Sequence, residues 1–236
     1  MIVIDRKKIT MLLIGIFCFS AILCTNVNRV EKVIATSATP VTDRVIILDA
    51  GHGKPDEGAT GEDGITEEKT NLDITLKTQK LLEESGATVI LTRSNENAIY
   101  DLDKKTLREK KVSDIKNRVK IGNESQADIL VSIHLNKGDS ASYSGWQTFY
   151  KASDENGKRL ATNIQESISE IITVENHRKA HEISGIYLVE NVEIPVTIVE
   201  CGFLSNPQEA EKLLTEEYQN QLAWGIYNGI LKYFNE

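Results

Sequence analysis

Apolar residues fall in short runs separated by longer polar stretches, and two periods alternate along the chain. Val45, Ile46, Ile47 and Leu48 form an unbroken apolar run, the pattern of a strand covered on both faces. Residues 70–85 read as a helix ended by Gly86, and 88–92 as the next strand. A charged helix is predicted over 102–124, strands over 129–133 and 146–150, and a helix over 157–172, where Leu160, Ile164, Ile168 and Ile171 recur at helical spacing. Short strands follow at 186–189 and 196–199. Tyr218, Leu222, Ile226, Ile230 and Phe234 then make the core-facing stripe of a terminal helix. Strand and helix alternate without an internal repeat. The pattern predicts one α/β domain whose mostly parallel or mixed sheet is covered by helices.

The N-terminus reads differently. Residues 9–24 are an uncharged, largely apolar run of 16 residues preceded by Arg6, Lys7 and Lys8. This is the layout of an export signal, and it is short for a permanent membrane span. Residues 1–24 are therefore expected to be a signal peptide or an N-terminal membrane anchor. Residues 25–43, polar and rich in Ser and Thr, are expected to be a linker, and 44–236 the folded domain. Val33 and Ala35 offer a cleavage site. With 236 residues, 40% of them hydrophobic, the chain can bury one sizeable core.

Charge narrows the partners. The whole chain carries −8; residues 1–35 hold five basic and two acidic residues, so residues 36–236 carry −11. A domain this acidic lacks the basic footprint of a nucleic-acid binder. It is also expected to touch a membrane only through its N-terminal segment. Cys18 and Cys24 lie in the apolar run, which leaves Cys201 alone in the folded part, with no intramolecular disulfide to staple it.

In open α/β sheets, functional groups gather beyond the carboxyl ends of the strands. After the first strand comes Asp49-Ala50-Gly51-His52-Gly53; after 129–133 come His134 and Asn136; after 196–199 come Glu200 and Cys201. Two of the four histidines and one acid thus stand where three apolar strands end. Two imidazoles together suit a metal ion, whereas each alone is compatible with a turn or core histidine. Glu67 and Glu68 are candidates for a third ligand, although both also fit simple complementation of a helix N-terminus capped by Thr66. His177 and His181 read as a solvated surface pair. Glu200, closing a buried strand, is costly as an anion unless paired or set beside a cation, and it reads as a general base or as half of a salt bridge. The glycine-rich stretch at 49–58 is neither a dinucleotide fingerprint nor a phosphate-binding loop.

Together, "VIILDAGHGKPDEGATG", "TEEKTNLDITLK", "LTR", "NRVKIGNESQADILVSIHLN" and "VTIVECGFLSN" resemble the zinc-dependent N-acetylmuramoyl-L-alanine amidases of the amidase-3 type, over about residues 44–234 and in family order. The resemblance implies a six-stranded sheet flanked by helices and one Zn2+ held by His52, Glu67 and His134. Glu68 is the residue that a one-position slip would choose. It also implies Glu200 as the catalytic base in hydrolysis of the amide between the lactyl group of N-acetylmuramic acid and L-alanine of peptidoglycan. In that scheme Asp49 is expected to orient one histidine, Asn136 to hydrogen-bond substrate or Glu200, and Arg118 to sit in a structural ion pair. Ala50 and Lys54 depart from the family's usual Pro and Gly, and 95–113 is long and charged; these bear on substrate fit rather than on the reaction.

A short domain of this kind behind an export signal resembles amidases that mature the spore cortex. That places it on the outer face of the cytoplasmic membrane, in the cell-wall space or between the membranes of a forming spore. Peptidoglycan is itself anionic, so an acidic domain without a wall-binding module is expected to need a localising or activating protein partner. A different zinc amidohydrolase (peptidase or deacetylase) and a catalytically silent wall-binding module are the competing readings.

Overall fold

The computed structural model describes residue 16 and residues 38–61 and 64–236. The chain divides into two compact units, Met1–Thr39 and Pro40–Glu236, and every element below belongs to the second. The expected signal or anchor lies outside the described residues, as does most of the expected linker. No helix among the described residues is long and apolar enough to cross a membrane.

The elements run β1 (Val45–Ala50), α1 (Glu67–Glu84), β2 (Thr88–Leu91), α2 (Leu107–Glu124), β3 (Ile129–Asn136), β4 (Gln147–Lys151), α3 (Glu155–Ile171), β5 (His181–Ile183), α4 (Tyr187–Asn191), β6 (Val196–Phe203), α5 (Pro207–Leu213) and α6 (Glu216–Asn235). They build one six-stranded sheet in the order β2-β1-β3-β6-β4-β5. All neighbours are parallel except β4 against β6, so the sheet is mixed.

Successive side chains of the central strands enter opposite layers. Ile46 and Leu48 of β1, Ile129, Val131 and Ile133 of β3, and Val199 and Cys201 of β6 join one buried cluster with α1, α3 and α6. Ile47, Leu130, Val196 and Ile198 join the other, with α2 and α4. This two-sided burial is why these strands read as continuous apolar runs, and each such Val, Leu or Ile contributes about 1.5–3 kcal/mol.

Helices α3 and α6 approach closely: a Cβ on Gly229 would lie 2.4 Å from the Cα of Ile164. Arg44, just before β1, sets its guanidinium over the ring of Phe234 near the end of α6, 5.0 Å from the centroid. Val41, placed by the sequence at the end of the linker, is fully buried in the core, so the packed unit already includes it.

Two expectations are corrected. The charged helix starts at Leu107 rather than 102, because Thr106 and Glu109 form a reciprocal capping box there, and Leu102 stands 97% exposed. Residues 186–189 are not a strand: Leu188, Val189 and Val192 enter the core at helical spacing, and Tyr187–Asn191 is helix α4. The edge strand β5 and the short helix α5 were not anticipated.

Candidate active site

β1, β3 and β6 lie side by side and parallel, so their carboxyl ends meet on one edge of the sheet. His134 of β3 stands in register with Glu200 of β6. His52 follows β1 by two residues in a left-handed conformation, φ 62°. Glu67 is the first residue of α1, whose start faces the same edge.

Glu67 gathers the two histidines. Its Oε1 lies 3.2 Å from Nε2 of His52 and 3.0 Å from Nδ1 of His134. The backbone N–H groups of Leu135 (3.1 Å) and Ala59 (2.8 Å) donate to its two carboxylate oxygens and fix its direction. One ligand atom from each of His52, Glu67 and His134 can be chosen so that all lie within 4.8 Å of one another. Burial opposes ionisation of Glu67, but the imidazoles of His134 and His52 hold its carboxyl well below the usual range. For His52, burial acts to lower the pKa, and its hydrogen bonds to Asp56 and Glu67 outweigh this, raising it to about 9.

Space is made by missing side chains. A Cβ on Gly51 would lie 2.2 Å from Nε2 of His134, and one on Gly58 2.5 Å from Oε2 of Glu67. Glycine at both places lets the backbone close around the imidazole and the carboxylate.

Glu200 faces the same cleft of about 270 Å3, lined also by His52, His134, Asp56, Lys111, Ile183 and Ile198. Its Oε2 is buried without a hydrogen-bond partner, and desolvation raises its carboxyl above the usual range, only partly offset by His134. A buried carboxyl with a free oxygen, beside a histidine and open to a cleft, is suited to exchange a proton with a bound molecule.

Two buried arginines hold the strand end. Arg118 donates to Asp49, to Asp114 (2.8 Å), to the Ala50 carbonyl (2.7 Å) and to the His52 carbonyl. Arg93 donates to the carbonyls of Ala50 (2.9 Å), Gly51 (3.0 Å) and Glu68 (2.6 Å). Burial lowers the Arg93 guanidinium to about 10.

The remaining expected residues fall as follows. Glu68 turns away from the histidines: its Oε1 accepts from Thr66 Oγ1 at 3.3 Å, and Oε2 is buried without a partner. Thr66 occupies the cap position of α1 without a side-chain cap bond. Asp49 does not orient a histidine; both its oxygens are taken by Thr92 (2.7 Å), Ser132 (2.6 Å) and Arg118. Asp56 has that place instead, its Oδ2 3.0 Å from Nδ1 of His52. Asn136 receives the Leu204 N–H on its backbone carbonyl, and its carboxamide bonds neither Glu200 nor a histidine. His177 is exposed beside Glu175, and His181 begins the exposed edge strand β5. Asp56, Arg93 and Lys111 were not anticipated. Arg93 directly follows the strand predicted over 88–92, the very placement that singled out His134 and Glu200.

Comparison with known proteins agrees with this architecture. The family model for N-acetylmuramoyl-L-alanine amidase matches residues 46–232. The germination-specific N-acetylmuramoyl-L-alanine amidase of Bacillus subtilis is 40% identical over 198 residues, 84% of this chain and 82% of its own. The LytC N-acetylmuramoyl-L-alanine amidase of the same organism is 32% identical over 86% of this chain and 38% of its own. The CwlD amidase of Clostridioides difficile, solved in complex with the GerS lipoprotein, superimposes with a TM-score of 0.80 at 42% identity, over 82% of this chain and 99% of that one. By sequence and by fold, the chain belongs to the N-acetylmuramoyl-L-alanine amidase family and is an amidase.

Proposed function

We propose that this amidase cleaves the bond between the lactyl group of N-acetylmuramic acid and L-alanine with one zinc ion, held by His52, Glu67 and His134, and with Glu200 as general base. The observation that carries this is the convergence of two imidazole nitrogens and a carboxylate oxygen beside the unpartnered oxygen of Glu200. Two nitrogens and one oxygen are a donor set for zinc, and three protein ligands leave a coordination position open. Zinc, when bound, supplies Lewis acidity that polarises the scissile carbonyl and eases deprotonation of water.

The protein's own part follows from geometry. Glu200 takes the proton of the water that attacks the lactyl carbonyl carbon, and the carbon–oxygen bond forms. It then gives that proton to the departing alanine nitrogen as the carbon–nitrogen bond breaks. Its raised pKa suits the first step, since it makes the carboxylate a stronger base. The products are a carboxyl on the glycan and a free amine on the stem peptide.

The biological setting is part of the same proposal. Residues 1–24 direct export as a signal or anchor, and the substrate is peptidoglycan outside the cytoplasmic membrane. The germination-specific relative supports a role in spore cortex, and the relative solved with a lipoprotein supports a protein partner that localises or activates this chain.

The test is incubation of the purified full-length protein, zinc-loaded, with peptidoglycan, followed by mass spectrometry. Stem peptides beginning at L-alanine are expected, lost on chelation and restored by zinc. Glu200→Gln is expected to keep zinc and lose roughly 100-fold or more in rate. His134→Ala is expected to lose both, and full zinc occupancy in that variant refutes the ligand set.

A further inference from the structure

His52 is held from two directions by α2, an element that offers no ligand. Arg118 binds its backbone carbonyl. Seven residues earlier on the same helix, two turns away and on the same side, Lys111 reaches the loop after β1 and pairs with Oδ1 of Asp56 at 2.8 Å. The other oxygen of Asp56 lies 3.0 Å from Nδ1 of His52, and Nε2 of that ring points at Glu67. A line Lys111–Asp56–His52 thus ends at the donor trio. The loop itself does not depend on this carboxylate for its main turn, because Gly53 and Asp56 exchange backbone hydrogen bonds of 3.0 and 2.9 Å. The carboxylate adds one bond to the Gly58 N–H at 3.2 Å, and its remaining contacts are with His52 and Lys111.

We propose that Asp56, itself aimed by Lys111, is the positioning carboxylate of the metal centre. It accepts the Nδ1 proton of His52, so that Nε2, directed toward Glu67, is the nitrogen offered to the metal. A carboxylate behind a ligating imidazole fixes its tautomer and raises its basicity. Among the described residues His134 has no such support: its Nδ1 faces Glu67, and its Nε2 packs against Gly51. The two histidines therefore enter the site through different nitrogens, and His52 alone is tuned from outside the trio. This inference rests on the zinc reading above.

The experiment measures zinc affinity of the full-length chain by competition with a chromophoric chelator at fixed pH, alongside Tm of the zinc-free protein. Asp56→Ala is expected to weaken zinc by roughly 10- to 100-fold, and Asp56→Asn, which keeps an acceptor, by less. Lys111→Met is expected to weaken it a few-fold in the parent and to have no further effect once Asp56 is Ala, since Lys111 acts only through that carboxylate. Zinc affinities of Asp56→Ala and Asp56→Asn within about twofold of the parent would overturn the proposal, as would a Lys111→Met effect that persists in the Asp56→Ala background. Loss of affinity in Asp56→Asn matched by an equal loss of zinc-free stability would also overturn it, in favour of simple stapling of the loop. A parent that binds no zinc overturns the zinc reading itself; a parent that binds zinc no better than its Asp56→Ala variant overturns only this inference.

Discussion

Gly51 stands where His134 leaves no room for even a methyl group. With a Cβ 2.2 Å from Nε2 of that ring, Gly51→Ala must turn the imidazole or push the end of β1 away. Misplacement of a reacting group by about 1 Å costs on the order of 100-fold in rate, so Gly51→Ala is expected to lose that much in kcat/KM while remaining folded. Steady-state kinetics with a circular dichroism control measures it. The same scale shows what the sequence could and could not tell. His52, His134 and Glu200 were legible because each follows an apolar strand. Glu67 and Glu68 were not separable on the residues alone, since both sit in the first turn of one helix and both suit its positive end. The backbone donors of Ala59 and Leu135, together with the two imidazoles that its Oε1 meets, select Glu67. Asp56 lay in plain view, four residues from His52, but a turn of four residues in a loop has no period from which contact can be read.

At the scale of elements, the strongly periodic segments were readable and the short ones were not. Helix α6 keeps its stripe over five turns and packs along α3 where Gly225 and Gly229 remove side chains. Gly229→Ala would put a methyl group 2.4 Å from the Cα of Ile164, a backbone atom that cannot step aside. The expected cost is about 1–3 kcal/mol, seen as a fall in Tm of several degrees by thermal unfolding, with the site's zinc affinity unchanged. A four-residue apolar run such as 186–189 fits a strand or a buried helical turn equally well. β5, with His181 and Glu182 exposed, carries no alternation to reveal it. The start of α2 was readable in retrospect, because Thr106 and Glu109 stand at capping-box spacing.

At the scale of the whole molecule, stability against acid should depend on the buried ion network under the site. Burial works to raise the Asp49 carboxyl, but Arg118, Ser132 and Thr92 outweigh it and hold it at about 2, below its ordinary 3.8. The folded state therefore gains from ionised Asp49 in full above the ordinary value, and the gain, about 2 kcal/mol, is lost as pH falls from about 4 toward 2. Asp49→Asn removes this dependence, so the difference in stability between parent and variant should shrink across that window. Thermal unfolding at a series of pH values checks it, and a constant difference would contradict the assignment. The α/β architecture and the family followed from strand–helix alternation and motif order; of this network only an ion pair of Arg118 was expected, because its partners at 49, 92, 114 and 132 are brought together through folding alone.

The contact of Arg44 with Phe234 has a geometric consequence. It brings the beginning and the end of the packed unit together at the foot of β1, whereas the cleft opens past that strand's far end. Pro40 and Glu236, a few residues from that contact, lie at the opposite end of β1 from the cleft. The cleft face of the packed unit is thus clear of the unit's own chain ends, so an extended, insoluble polymer can lie along it without passing them.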